Sequence, residues 1–322
     1  MPKKFVFSIL SIFCLTLLLS TAGNAAGAYS VVKRIYNNWL ANYSFVVDHT
    51  GKNIYLMRPN SVIRYTEGTE TQLTNINKCL INNITLDAQG NLYILYKTSE
   101  FGGMAIDKFD ANGTWIKTWS KTADGQSFFF GKVLAVDSIG SIYTQIADKS
   151  LVKLNPNNSV VMIRWYVSDI GGGISSIALD PQDNLFISFS TGISKFKAFT
   201  GAFAKNIQTN TFGGKIAADS LGNIYQMGLK EINKYNSDLS FLTIFKDNPQ
   251  DEYSDIAVDD NGFIYVQTFN ITYAASNQHS ILKFGPMHIL PSTPLITIHQ
   301  IPNRLSTTTT QKKLIKVSPK IN

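Results

Sequence analysis

The sequence predicts an all-β fold: a six-bladed β-propeller with four antiparallel strands per blade, closed by an N-terminal strand. The main observation is a repeat in which a short apolar run ends in aspartate and is followed by a turn and a second apolar-aromatic run. The repeated aspartates, spaced by 39, 50, 43, 39 and 40 residues, are Asp48, Asp87, Asp137, Asp180, Asp219 and Asp259. Such a spacing is typical of propeller blades.

Each repeat continues with two further short strands. A third strand carries a basic residue at the same place in every copy: Arg64, Lys108, Lys153, Lys195, Lys234 and Lys283. A turn rich in Gly, Pro, Asn and Asp follows, and a fourth apolar stretch closes most units, at 115–119, 160–165, 202–207 and 239–245. Four short strands per repeat describe one blade.

The first strand of each repeat predicts how the blades stack. The residues one and three positions before the aspartate are large and apolar in nearly every copy. The residue two positions before it is mostly small: Val46, Thr85, Ala135, Ala178, Ala217 and Ala257. Because successive side chains of a strand point to opposite faces, one face is bulky and the other slim. We expect the bulky face of one blade to pack against the slim face of its neighbour.

The repeated aspartates are interpreted as turn formers. In most copies a glycine follows three residues later, as in Asp87 and Gly90, which fits a tight hairpin with the glycine in the left-handed region. Two copies depart from this pattern: Asp48 has an extra residue before the next strand, and Asp180 is followed by Asp183 without glycine. The turn recurs in every blade, whereas chemistry is needed once. The repeated third-strand Lys or Arg is interpreted as a solvated strand position.

The motif aliphatic-x-Asp-x-x-Gly-Asn-Ile-Tyr, followed by a loop and Ile-x-Lys-Phe, resembles the NHL repeat of six-bladed propellers. Ala217 to Tyr225 gives an example of its first half, and the resemblance covers residues 45 to 285. Many NHL repeats carry an aspartate shortly after the second strand, whereas this chain has apolar or amide residues there, such as Leu56 and Gln226. The resemblance implies a propeller scaffold and no particular activity.

Residues 1–28 are predicted to form a signal peptide. Lys3 and Lys4 precede an apolar run over residues 5–19, and small residues allow cleavage after Ala28. The protein is therefore expected to be secreted, with no transmembrane segment after cleavage. An uncleaved anchor is the alternative, although the run is shorter than the roughly 20 residues that a spanning helix needs.

The remaining chain divides into the propeller, residues 29–290, and a basic tail, residues 291–322, that is expected to be flexible. The chain has 29 basic and 22 acidic residues. Five of the basic residues and no acidic residue lie in 303–322, and Lys3 and Lys4 lie in the predicted signal peptide, so the propeller itself, with 22 basic and 22 acidic residues, is electrically balanced. The basic pI therefore does not indicate a nucleic-acid surface. After signal cleavage Cys79 has no partner for a disulfide, and a monomer is expected.

A propeller must close, or an edge strand stays open to unwanted pairing. Residues Tyr29 to Tyr36 precede the first repeat and are similar to outer strands such as Trp115 to Trp119. We expect this segment to complete the sixth blade, whose own chain leaves the pattern at Gly285. Closure by residues 288–290 or 295–298 is the alternative.

The resemblance also implies where a site would lie. In related propellers, ligands bind at the channel mouth, on the face whose loops lead into the inner strands. The residue four positions before each aspartate is expected to approach that mouth: Ser44, Asn83, Val133, Ser176, Lys215 and Asp255. A metal-dependent hydrolase or lyase of the lactonase type would need several carboxylates, Asn or His there, with Asn83 and Asp255 as ligands of a divalent cation such as calcium. The ring has one carboxylate, opposed by a lysine, so this is the alternative interpretation.

The leading interpretation is a secreted, noncatalytic scaffold without a cofactor, which binds a protein, peptide or glycan on its loop face. The segment from Asp247 to Asp255 is the densest acidic cluster and is expected to be a mouth loop, with Asp251, Glu252 and Tyr253 as candidate contacts. Four aromatic residues of the other mouth loops are expected to line a ligand patch: Trp39, Tyr43, Phe129 and Phe212. The sequence contains no nucleophile motif or phosphate loop.

Overall fold

The computed structural model describes residues 29–37, 44–73, 76–100, 102–129, 133–170, 172–211, 214–246, 251–270 and 279–286. These residues form six antiparallel sheets of four strands each, which confirms the predicted six-bladed propeller. The predicted signal peptide and the basic tail lie outside the described residues.

Each of the first three blades is a meander in which the first strand is innermost and the fourth outermost. Strand β1 (Tyr29–Asn37) comes first in the chain but belongs to the last blade. Blade one comprises β2 (Phe45–Val47), β3 (Asn53–Met57), β4 (Val62–Thr66) and β5 (Thr69–Gln72). Blade two comprises β6 (Cys79–Leu86), β7 (Leu92–Lys97), β8 (Met104–Phe109) and β9 (Trp115–Trp119). Blade three comprises β10 (Leu134–Val136), β11 (Ile142–Gln145), β12 (Leu151–Leu154) and β13 (Val161–Trp165).

The other blades repeat this order. Blade four comprises β14 (Ile174–Leu179), β15 (Leu185–Phe189), β16 (Gly192–Phe196) and β17 (Phe203–Gln208). Blade five comprises β18 (Ile216–Ala218), β19 (Ile224–Met227), β20 (Ile232–Tyr235) and β21 (Phe241–Phe245). Blade six comprises β22 (Asp251–Val258), β23 (Ile264–Asn270), β24 (His279–Pro286) and β1. One helical turn, α1 (Val167–Ile170), connects β13 to β14, and within the described residues no helix has the length and apolar character to cross a membrane.

The ring closes through the N-terminal strand, as predicted. Strand β1 pairs antiparallel with β24, with Tyr29 opposite Pro286 and Ser30 opposite Gly285. The ring of Tyr29 stacks on Phe245 of blade five at a centroid distance of 5.1 Å. Strand β1 therefore completes the sheet of blade six and also packs against the neighbouring blade.

The hydrophobic core consists of six clusters, each shared by two neighbouring blades. Ala217 of blade five packs in one cluster with Ile256 and Val258 of blade six. Ala257 of blade six packs with Phe45 and Val47 of blade one, which closes the ring. The predicted match of a bulky face with a slim face is confirmed at these interfaces.

The repeated aspartates form the predicted turns. Asp87 Oδ1 accepts hydrogen bonds from the backbone N–H groups of Gln89 (3.0 Å) and Asn91 (2.9 Å), while Gly90 has a φ of 78°. The other repeats make the same pair of bonds from the second and fourth residues after the aspartate, except that Asp48 binds the Thr50 hydroxyl and Lys52 N–H. In blade four, Asp183 takes the place of the glycine, with a φ of 60°.

The third-strand lysines of blades two and three are not freely solvated, so that interpretation is wrong for these two blades. Lys108 Nζ lies 2.9 Å from Asp87 Oδ2, and Lys153 Nζ lies 2.8 Å from Asp137 Oδ2. The second of these pairs is almost inaccessible, with side-chain exposures of 6% for Lys153 and 0% for Asp137. Lys153 lies opposite Tyr143 on the neighbouring strand, with its ammonium 5.3 Å from the ring centroid. The next blade covers this face, and that burial cannot be seen in one repeat.

The turn aspartate of blade two gives a pH dependence that can be tested. Burial raises the pKa of Asp87, but hydrogen bonds from Asn91 and Lys108 outweigh burial, so the pKa lies below its usual value. A lowered carboxyl pKa stabilises the folded state above the unfolded pKa of about 3.9, and this stabilisation is lost as the pH falls through the folded pKa. Asp87→Asn should therefore lower the melting temperature at pH 7, and the gap to wild type should narrow below about pH 4. A gap that stays constant down to pH 3 would contradict the ion pair.

Candidate functional site

The six innermost strands surround a central channel with a volume of about 520 Å³. Each of these strands contacts the innermost strands of the two adjacent blades, so the wall of the channel is continuous. The lining residues extend from the start of the inner strands, where Ser44 and Asp255 lie, to the turns that follow them, where His49 and Asp260 lie. We call these two ends the Ser44 mouth and the His49 mouth.

Most of the residues predicted to approach the mouth do line the channel. These residues are Ser44, Asn83, Ser176, Lys215 and Asp255. The sixth, Val133, is buried in the core between blades three and four. The position of a residue relative to the repeated aspartate is therefore enough to predict five polar side chains at one end of the channel.

Three of these residues form a hydrogen-bonded group, which we call the Ser44 cluster: Ser44, Lys215 and Asp255. Ser44 Oγ donates to Asp255 Oδ2 at 2.6 Å. Lys215 Nζ lies 2.7 Å from the same carboxylate oxygen and donates to Ser44 Oγ at 3.2 Å. The cluster joins blades five, six and one, and the side chain of Asp255 is 5% exposed whereas that of Lys215 is 29% exposed.

The carboxylate of Asp255 is held in a fixed orientation. Besides the two side-chain donors, its Oδ2 accepts from Phe45 N at 3.2 Å and its Oδ1 accepts from Ile256 N at 2.9 Å. The negative charge is thus compensated by one ammonium and by backbone N–H groups, so a buried carboxylate is tolerated here. The partly exposed ammonium and the serine hydroxyl present polar atoms to the channel.

The arrangement does not fit the predicted metal site. Within the described residues no group of three or more His, Cys, Asp or Glu side chains comes together to hold an ion. Of the two proposed ligands, Asn83 lines the channel, while Asp255 already binds Lys215 through Oδ2. A cation bound at Asp255 Oδ2 would have to displace the lysine ammonium.

The His49 mouth carries a different set of polar groups. His49 Nδ1 lies 3.2 Å from Asp260 Oδ1, and Asp260 N donates to the backbone oxygen of His49 at 3.0 Å. On another blade, Asp183 accepts hydrogen bonds from the backbone N–H and the hydroxyl of Ser138. These carboxylates stabilise turns, so residues of the His49 mouth are matched controls for substitutions at the Ser44 mouth.

Most of the aromatic residues predicted to line a ligand patch lie outside the residues that the structure describes. These are Trp39, Tyr43 and Phe212. Phe129 is partly buried, and its N–H donates to Gln145 O at 2.9 Å. The ligand patch stays a prediction.

The acidic segment is a strand from Asp251 onward, not the mouth loop that was expected. Strand β22 begins at Asp251, with Asp251 opposite Asn270 and Glu252 opposite Phe269. Tyr253 is 4% exposed and packs in the core between blades five and six. The acidic residues at the start of this strand predicted a loop, whereas Tyr253 and Ile256 anchor the segment in the core.

Comparison with known proteins supports the fold. No family model and no curated protein matches the sequence, so the NHL resemblance stays a prediction. Among solved structures, a gluconolactonase from Xanthomonas campestris, XC5397, is similar with a TM-score of 0.56 and 16% identity, over 75% of this chain and 85% of that chain. At this identity the likeness shows that the two proteins share the propeller fold.

Proposed function

We propose that the protein is a lactonase-like hydrolase that opens a small cyclic ester at the Ser44 mouth of the channel. The observation that carries the proposal is the 2.6 Å hydrogen bond from Ser44 Oγ to Asp255, with Lys215 at the same carboxylate oxygen. A nucleophile next to a base, with a third group that orients the base, is the arrangement used for covalent catalysis. The gluconolactonase of the same fold supports cyclic esters as the substrate class.

In this proposal, Ser44 Oγ adds to the ester carbonyl while Asp255 accepts the hydroxyl proton. The ring C–O bond then breaks, and the proton passes to the leaving oxygen, which leaves an acyl-serine with a free hydroxyl group. Lys215 donates a hydrogen bond to the carbonyl oxygen as negative charge develops on it. Water then attacks the acyl-serine, releases the hydroxy acid and restores Ser44.

Hydrolysis of glucono-1,5-lactone and of an aromatic lactone, followed with a pH indicator, tests the proposal. Ser44→Ala and Asp255→Asn should each lower kcat/KM at least about a hundredfold, since each removes a group that takes part in the proton transfer. Ser138→Ala and Asp183→Asn make the same changes at the His49 mouth and should leave the rate unchanged. Wild-type activity in Ser44→Ala would overturn the serine mechanism.

A chelator separates this proposal from a metal-dependent one. Because the Lys215 ammonium occupies Asp255 Oδ2, activity should survive EDTA. Loss of activity with EDTA and its recovery with calcium would instead support the divalent-metal lactonase.

A noncatalytic scaffold is the second candidate, and one observation favours it. The four hydrogen-bond donors around Asp255, from three blades, also suit a purely structural link at the closure of the ring. In that case wild type would hydrolyse no lactone, and Asp255→Asn would only lower the melting temperature. The ligand would then be a protein, peptide or glycan on the loop face, and its binding would be lost in Phe129→Ala.

A further inference from the structure

A second cavity, of about 720 Å³, lies outside the channel, beside the outer strands of blade four and a turn of blade five. This volume is in the range of ligand-binding clefts. We call it the lysine groove, and the lining residues that matter here are Gln182, Lys195, Lys197, Phe199, Lys205 and Asp238.

The groove lies at the interface of blades four and five. This interface lacks a tryptophan that is present where blade two meets blade three and where blade three meets blade four. In blades two and three, the outer strand carries Trp119 and Trp165 in the same register. Each indole donates to a turn carbonyl of the next blade, Trp119 to Pro156 at 3.0 Å and Trp165 to Gly201 at 2.9 Å. Blade four has Ile207 in this register, a smaller side chain without a donor.

Lys195 makes the contact that the indole makes elsewhere. Its Nζ donates at 2.7 Å to Ser237 O, a turn carbonyl that corresponds to Pro156 O in blade three. In blades two and three the equivalent lysine pairs with the turn aspartate, whereas the second strand of blade four has Phe186 in place of tyrosine. The ammonium of Lys195 lies 5.2 Å from the centroid of the Phe186 ring, and its contact with Ser237 O places Lys195 in the lining of the groove.

The groove carries positive charge that the described residues do not neutralise. Lys205 Nζ donates to Asp238 O at 2.7 Å, and Lys197 is exposed. Within the described part of the chain, none of the three lysines has a carboxylate within 4.0 Å of its Nζ. A contact with a carbonyl leaves the ammonium charge in place, and Asp238 is the one acidic residue that lines this groove.

The positive charges occupy two places along the groove: the ammonium groups of Lys195 and Lys205 bind consecutive carbonyls, Ser237 O and Asp238 O, and Lys197 lies further along the chain. Lys195 lies directly opposite Lys205 on the neighbouring strand, and Lys197 follows Lys195 by two residues. Positions two apart on a strand are separated by nearly 7 Å. A ligand with several separated negative charges therefore matches the groove better than a single phosphate, which concentrates its charge.

An exposed aromatic ring and an amide complete the groove. Phe199, in the turn between β16 and β17, is 92% exposed, and the exposed side chain of Gln182 lies on the same groove. An aromatic face offers apolar surface to the C–H face of a sugar ring, and an amide both donates to and accepts from sugar hydroxyls.

We propose that the lysine groove binds an acidic oligosaccharide, a chain of sugars with one carboxylate on each unit. Successive carboxylates contact the lysine ammonium groups, one sugar ring lies on Phe199, and Gln182 binds a hydroxyl. The site is separate from the channel and does not depend on hydrolysis there. Ser44→Ala should therefore bind the oligosaccharide as wild type does.

Calorimetric titration with hexagalacturonate tests the proposal, with cellohexaose as the neutral control. Wild type should bind the acidic hexamer and not the neutral one, and added salt should weaken binding because the contacts are exposed charges. The double variant Lys197→Ala/Lys205→Ala should lose at least about tenfold in affinity, and Phe199→Ala about three- to tenfold. The matched controls Lys52→Ala and Phe241→Ala change an exposed lysine and an exposed aromatic residue elsewhere and should bind normally.

Three outcomes would overturn the proposal. The first is no binding of hexagalacturonate up to about 1 mM, a concentration that corresponds to about −4 kcal/mol. The second is equal binding of cellohexaose. The third is tighter binding of inorganic phosphate or adenosine monophosphate at the same lysines, which would identify a phosphate site instead. Unchanged melting temperatures of the variants show that any loss of binding is local.

Discussion

Removal of β1 should abolish stable folding of the propeller. Without residues 29–37, β24 becomes an open edge along its whole length, and an exposed edge strand invites pairing with other chains. The cluster between blades five and six also loses Tyr29 and Val31. The trimmed protein should aggregate and show no cooperative transition, as measured by size-exclusion chromatography and thermal unfolding. Removal of residues 303–322 should leave the melting temperature unchanged, because that segment is expected to be a polar tail.

A pair of point substitutions in β1 makes the same test without a deletion. Val31 packs against the core cluster, whereas its neighbour Val32 is 53% exposed. Val31→Asp places a charge against that cluster and should cost more than about 2 kcal/mol, whereas Val32→Asp should cost little. Equal melting temperatures for the trimmed and full-length proteins, or equal effects of the two substitutions, would contradict closure by β1.

The fold was predictable because each repeat contains the residues that form its turns and that set the packing of its inner strand. The turn at Asp87 and Gly90 needs only residues within five positions of one another. Each inner strand shows its own small and large positions in the sequence, as Ala217 does for one strand and Ile256 for the next. The small position of one blade then packs against the large position of its neighbour. Strand β5 had no such signal, since all four of its residues are exposed.

The burial of charged residues was not predictable from one repeat. Lys153 looks like a polar strand residue, and only the neighbouring blade removes it from water and leaves Asp137 as its partner. The link between Ser44 and Asp255 spans 211 residues and exists because the ring closes. Repeat register placed both residues at one mouth but did not show that they touch.

The lysine groove had a weaker signal in the sequence. Aligned by the third-strand lysine, the outer strands read Trp119, Trp165, Ile207 and Phe245, so the loss of an aromatic residue in blade four was visible. The contact of Lys195 with Ser237 O was not visible, because it depends on the turn of the next blade. The predicted secretion, monomeric state and loop-face ligand stay predictions.

Replacement of Asp137 by alanine should cost about 3 to 5 kcal/mol, because it leaves the ammonium of Lys153 buried without a partner. Burial lowers the pKa of Lys153, but its interactions with Asp137 and Tyr143 outweigh burial and raise the pKa above its usual value. Without Asp137, the cost of burying the charge is no longer offset. Chemical denaturation of Asp137→Ala measures the loss, and the double variant Asp137→Ala/Lys153→Met should recover much of it, since an apolar side chain of similar length suits the buried site.

Asp110→Ala is the matched control for the turn itself. Asp110 accepts the same pair of backbone hydrogen bonds, from Asn112 and Thr114, but it is only partly buried and has no ion pair with a described residue. Its loss should therefore be clearly smaller than that of Asp137, and both variants should keep the hydrolytic and binding activities of the folded protein. If Asp137→Ala were as mild as Asp110→Ala, the buried pair would contribute nothing beyond the turn. If it abolished activity without shifting the unfolding transition, Asp137 would have to act on a ligand, because only a role outside folding spares stability while removing function.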